Sequence, residues 1–136
     1  MLIEKAKSLI PVIDELVNIF DNGKILNSEY IWDIVKKTEY EDILILQSIM
    51  YIGQNEHKPD PKDYSNYNAY EAELERYQPE RMLKDYVRMF RSDNDSGFNR
   101  LYSMLAKMPL LDYLQDGLDL LRIRHVIEKR DTRAVN

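Results

Sequence analysis

Three aspartates, Asp112, Asp116 and Asp119, come nearest in type and spacing to a reactive arrangement. At i, i+4 and i+7 they project from one side of a helix. A row of carboxylates is what a helical, divalent-metal-dependent nucleotide or phosphate-ester hydrolase needs to hold Mg²⁺. Such a site draws ligands from at least two helices, and Glu71 with Glu75, or Glu39 with Glu41 and Asp42, are the candidate partners. The paired Glu-x-x-Glu and downstream Glu-x-x-Asp pattern is absent, however, and the same aspartates lie opposite a leucine face. The favoured reading is a solvated surface with no metal and no cofactor; the hydrolase is the alternative.

Other reactive chemistry is thinly represented. There is no cysteine, so thiol catalysis, disulfides and thiolate-bound metals are excluded. His57 sits in a loop rich in Pro, Asp and Lys, and His125 in a basic tail; two isolated histidines read as solvated rather than as acid–base catalysts. Ser8, Ser48, Ser65, Ser96 and Ser103 lack a nucleophile-elbow context, and Gly23, Gly53, Gly97 and Gly117 are too scattered to cradle a phosphate. No catalytic residue is assigned.

A binding surface is better supported by composition. Tyr64, Tyr67, Tyr70 and Tyr77, with Arg76 and Arg81, have the residue types enriched in protein interfaces. Tyr67, Tyr70, Leu74 and Tyr77 also follow helical spacing, and such aromatic stripes usually face inward. Burial with the phenol oxygens at the rim is therefore the expected placement, and an interaction surface the functional alternative. Arg122, Arg124, Lys129, Arg130 and Arg133 make a basic end, read as solvated because aromatic residues are not interleaved with it.

The elements that must position these groups read as helices. The stretch Pro109–Leu121 places Leu110, Leu111, Leu114, Leu118 and Leu121 on one face, with Pro109 in the first turn. Gly117 projects from that apolar side, where it would let another helix backbone approach. Residues 2–21 form a helix with Leu9, Val12, Ile13, Leu16, Val17 and Phe20 buried; Pro11 either kinks it or lies in its first turn after Ser8 as N-cap, the second being preferred. Gly23 ends it in a left-handed conformation. Asn27 or Ser28 caps a second helix carrying Ile31, Trp32, Ile34 and Val35, with Trp32 at the edge of the core.

Thr38 and Glu41 have capping-box spacing. They introduce Asp42–Ile52, a run apolar on nearly every side, expected as a helix enclosed by others and ending at Gly53, with a buried strand as the competing assignment. Gln47 and Ser48 should be hydrogen-bonded there. Residues 54–63 are a loop. Pro79 starts a helix with Met82, Leu83, Tyr86, Val87 and Phe90 inward, and Phe98, Leu101, Tyr102, Leu105 and Met108 form another, hairpinned onto the Pro109 helix. Val126 and Ile127 would extend the last helix by a turn.

Two pieces of the chain together resemble the uncharacterised, mostly proteobacterial family catalogued as domain of unknown function 3775. They are Ile49–Gln54, IMYIGQ, and Pro109–Leu118, PLLDYLQDGL. The family has Arg and Asp after the first glycine where this chain has Gln54 and Asn55, and here Asp112 follows the leucine pair one residue sooner. The resemblance implies a compact bacterial helical domain and brings no reaction, ligand or catalytic residue.

The bulk properties fit one domain. A chain of 136 residues, 44% hydrophobic and 32% charged, is large enough to bury a core and too apolar to be wholly disordered. Acidic residues near the start argue against a secretory leader, and no apolar run is long enough for a membrane span. A net charge of −5 disfavours non-specific nucleic-acid binding. The expectation is an all-α single compact bundle of five to seven helices over 1–125, with 126–136 a partly frayed basic tail. Functionally it reads as a small cytoplasmic, bacterial or prophage-type, non-enzymatic interaction module with a protein partner or self-association, of inhibitor or immunity type.

Overall fold

The computed structural model describes residues 1–23, 27–107 and 109–128. Among these residues the chain forms eight α-helices and no strand: α1 (Leu2–Ser8), α2 (Ile10–Asp21), α3 (Ser28–Lys37), α4 (Tyr40–Asn55), α5 (Tyr67–Arg76), α6 (Pro79–Arg91), α7 (Gly97–Leu105) and α8 (Leu110–Leu120). None is long and apolar enough to cross a membrane. The all-α class is as expected, and the helix beyond the expected seven is α1.

The N-terminal stretch divides at Leu9, which is the N-cap of α2 and lets Pro11 enter its first turn. The Ser8 hydroxyl instead donates to the Lys5 carbonyl 2.6 Å away, at the end of α1. A seven-residue helix is too short to persist alone. The Glu80 carboxylate of α6 holds it, accepting from the backbone N–H groups of Leu2 at 2.9 Å and Ile3 at 3.0 Å. This cap lies some 78 residues away in the chain, so local sequence could not reveal it.

α4 is the axis of the bundle, packed against α8, α6, α7 and α1. That enclosure explains its all-round apolar sequence: residues 42–50 are all buried, as are Ile52 and Gly53. The competing strand assignment is ruled out. The capping box is not formed: Glu39 is the N-cap with no side-chain bond, and the Thr38 hydroxyl is buried without a partner. Nor does Gly53 end the helix, which continues to Asn55.

Gly53 is needed inside the helix because α8 lies against it. A Cβ at Gly53 would overlap the Tyr113 carbonyl oxygen and stand 2.7 Å from the Gly117 amide nitrogen. A Cβ at Gly117 would overlap the Ile49 carbonyl oxygen and stand 2.9 Å from its carbonyl carbon. Two helices therefore meet backbone to backbone, as Gly117 on the apolar side anticipated. Around the contact Leu110, Leu111, Leu114, Leu118 and Leu121 are all buried. α8 packs chiefly along α4, so the expected α7–α8 hairpin does not form; Met108, assigned to the inward face of α7, lies outside the described residues.

The core also contains a charge. Arg100 of α7 is 1% exposed and donates to the Tyr40 hydroxyl at 3.0 Å, the Gln47 amide oxygen at 2.7 Å and the Phe90 carbonyl at 2.9 Å. It joins α4, α6 and α7 through neutral acceptors, and its guanidinium also lies over the Tyr40 ring. Gln47 is thus satisfied as expected, and Ser48 bonds the Leu44 carbonyl at 2.7 Å. Trp32 stacks on Phe98 with centroids 4.6 Å apart and remains half exposed at the core edge.

The last described stretch is a strap and not an added helical turn. α8 ends in a Schellman arrangement, with Ile123 N–H donating to the Leu118 carbonyl at 2.9 Å and Arg122 N–H to that of Asp119 at 3.0 Å. Ile123 and Ile127 are buried. The Gln115 side chain donates to the His125 carbonyl at 2.9 Å and accepts from Ile127 N–H at 2.8 Å. His125 is not free in solvent, since its ring lies 2.9 Å from Asp14 of α2. Lys129, Arg130 and Arg133 of the basic end lie outside the described residues.

Helix propensity alone would make Gly117→Ala stabilising by about 1 kcal/mol. The backbone contact reverses the sign, and chemical denaturation should show a loss of about 3 kcal/mol or more. A second expectation concerns acid. Burial of Glu80 opposes its ionisation, but the N–H groups of Ile3 and Leu2, the Met1 amino group and Lys84 together hold its carboxyl below the usual range. Its contribution is present above the unfolded-state value of about 4.3 and is lost as pH falls through the lower folded value. Unfolding measured across acid pH should show wild type losing stability in that window, with Glu80→Gln giving a flatter profile.

Candidate functional site

The C-terminal ends of three helices meet at a cleft of about 450 Å³. Gly53 and Glu56 come from the end of α4, Leu74 and Tyr77 from the end of α5, and Asp116, Asp119 and Leu120 from that of α8. His57, Lys58 and Pro59 in the loop after α4, with Arg122 after α8, complete the lining. The α4–α8 glycine contact sets this geometry, because Gly53 is both a contact residue and a lining residue.

Arg122 holds an unusual backbone conformation. It occupies the Schellman position that ordinarily takes glycine, with φ of 59°, and is the only non-glycine residue at positive φ among those described. A side chain in this region costs roughly 1–2 kcal/mol. The buried Leu118 and Ile123 on either side of the turn hold it there. Residues kept in such conformations cluster at functional sites, and this one puts a guanidinium-bearing residue on the cleft lining.

Two of the cleft's carboxylates are already engaged. The Tyr86 hydroxyl donates to Glu56 at 2.6 Å, and the Gln115 amide donates to Asp119 at 3.0 Å. Burial first, then the bond to Glu56 and its charge, push the Tyr86 phenol up to about 12, so it remains a donor at neutral pH. Burial and the charge of Glu56 likewise raise Tyr77. Among the described residues, Lys58, Arg122 and Asp116 have no ion-pair partner, and Glu56 and Asp119 are met only by the neutral donors just named.

The six residues of the expected interaction surface divide into two groups. Tyr64, Tyr67 and Tyr70 cluster together, the half-buried Tyr70 centred 5.9 Å from the half-buried Tyr64 and 6.3 Å from Tyr67. Tyr67 is 69% exposed. The hydrogen bond to Glu71 and then its charge raise the Tyr67 phenol. Tyr77 turns to the cleft, with the Arg76 guanidinium 5.9 Å from its ring centre. Arg76 also pairs with Glu73 at 3.0 Å, and shares a smaller recess with Arg81, Glu56 and Tyr86. The inward placement expected of the stripe is not found: α5 buries no residue, and Leu74 and Tyr77 are only half-buried. Charged residues on its remaining faces leave no second apolar row to sink it into the core.

The three aspartates keep their exposed face on α8. Asp116 and Asp119 line the cleft, and Asp112 does not. Among the described residues no group of three or more His, Asp or Glu is arranged to hold a metal ion. Arg100 escaped the sequence reading, and Arg122 entered it only as one member of the solvated basic end. Arg100 falls in register with Leu101, Met104 and Leu105, a signal that periodicity offers; the left-handed Arg122 has none, because arginine is not a turn residue.

The chain matches no family model, and neither a curated protein nor a solved structure is significantly similar to it. The strained turn gives a direct test of the site's local energetics. Arg122→Gly should raise unfolding stability by about 0.5–1 kcal/mol, seen as a higher denaturation midpoint, because glycine accepts the left-handed conformation without the Cβ clash.

Proposed function

We propose that this chain is a non-catalytic protein-interaction module, and that the ridge formed by Tyr64, Tyr67 and Tyr70 joins it to a second copy. The observation that carries the reading is α5 itself, a ten-residue helix that buries none of its residues yet displays the clustered rings. Tyrosine supplies large contact area at low conformational cost and recurs at binding hot spots. A helix this short is marginal in water unless packing supports it, and an apposed partner would supply that packing. Size and mild acidity suit an inhibitor or immunity protein working in a bacterial cytoplasm. Kinship with domain of unknown function 3775 belongs to the same proposal and adds no activity to it.

Sedimentation velocity across a concentration series tests the ridge. Wild type should show reversible association, and the double variant Tyr67→Ala, Tyr70→Ala should weaken it by roughly thirty-fold, the equivalent of one hot spot of about 2 kcal/mol. Because α5 is not in the core, circular dichroism of the variant should remain that of wild type. A wild type that stays monomeric throughout, or a folded double variant that associates equally, overturns the reading.

A further inference from the structure

We propose that the cleft at the ends of α4, α5 and α8 binds a small zwitterion, an α-amino acid with an apolar or aromatic side chain. This goes beyond the interaction reading and does not depend on it. A volume of about 450 Å³ is in the range of small-molecule sites. Leu74, Tyr77 and Leu120, all half-buried, give it apolar walls.

The charges decide which small molecule fits. Three helix C-termini converge here, each the negative end of a helix dipole, and three carboxylates line the same space. A phosphate-rich ligand would face all of them without a helix N-terminus or a glycine loop to receive it. A simple organic cation would instead meet Lys58 and Arg122, neither of which is neutralised within the described residues. A metal ion is not favoured, since no suitable ligand group is assembled among the described residues. One positive and one negative group on an apolar body gives a partner to charges of both signs on the lining. The ammonium goes to Asp116 and the helix ends, the carboxylate to Lys58 and Arg122, and the side chain to the apolar walls.

Titration of the full chain with L-phenylalanine, followed by amide chemical shifts and calorimetry, tests this assignment. Saturable shifts are expected at Gly53, Tyr77 and Leu120. Phenethylamine, which lacks the carboxylate, and 3-phenylpropionate, which lacks the ammonium, should each bind about tenfold more weakly or worse, one charge-assisted contact being lost in each case. Arg122→Gly and Asp116→Asn should each weaken L-phenylalanine similarly. The first substitution suits its backbone and the second lies on an exposed helix face, so both should leave the fold intact. Absence of saturable binding overturns the proposal. So does equal affinity for either singly charged analogue, or L-phenylalanine binding unchanged in both variants.

Discussion

The close approach of α4 and α8 is the constraint on which the rest of this structure depends. Helices packed through ordinary side chains run about 8–10 Å apart, a spacing that leaves room for Cβ atoms on both. Here Gly53 and Gly117 lie in one contact, each facing backbone of the other helix. Each glycine weakens its own helix by about 1 kcal/mol relative to alanine. That cost is offset by the dispersion contacts two backbones gain when no side chain intervenes, and by the burial of the α8 leucines around them.

Fixing α8 against α4 also fixes what hangs from it. Leu118 contributes both to the leucine face and to the Schellman turn, so the chain leaves α8 in a set direction. Ile123 and Ile127 then return to the core, and Gln115 imitates a neighbouring strand by offering one donor and one acceptor to the strap. Arg100 does comparable work on the opposite flank of α4. A buried guanidinium is costly unless its donors are met, and its acceptors come from α4, the end of α6 and the Tyr40 hydroxyl. Among the described residues only Asp93, 4.0 Å away and largely exposed, offers it a carboxylate. Orientation matters more than charge pairing at this centre, because the acceptors are carbonyl and hydroxyl oxygens held by α4 and by the end of α6 and the turn after it.

What the sequence made legible follows from where the controlling interactions lie. Helix type, the leucine face of α8, the Asn27 cap and the left-handed Gly23 are governed by neighbours three or four residues away, and each could be read locally. Gly117 was legible as a site of close approach because a glycine on a leucine face has few other uses. Its counterpart Gly53 was misread as a terminator, since an isolated glycine at the end of an apolar run has the same local appearance in both roles. The α1 cap by Glu80 and the His125–Asp14 contact join residues far apart in the chain and left no local trace. The cleft belongs to this second kind. Its lining comes from the ends of three helices and the segments that follow them, and none of those pieces announces a site alone.

The tyrosine stripe shows why periodicity alone misplaces an element. Three-and-four spacing says which side chains share a face, not whether that face meets protein or water. For α6 the question is settled by a continuous row in which Met82, Leu83, Val87 and Phe90 are all buried. For α5 the row has only aromatic members and Leu74, flanked by Glu71, Glu73, Glu75 and Arg76, and the helix packs extensively against no other helix. Tyrosine tolerates this position because its ring accepts apolar contact while its hydroxyl stays wet. The result is a helix with two distinct halves. The segment around Tyr67 faces outward, and the segment around Leu74 and Tyr77 forms a wall of the cleft. One ten-residue helix therefore runs from the tyrosine cluster to the wall of the cleft.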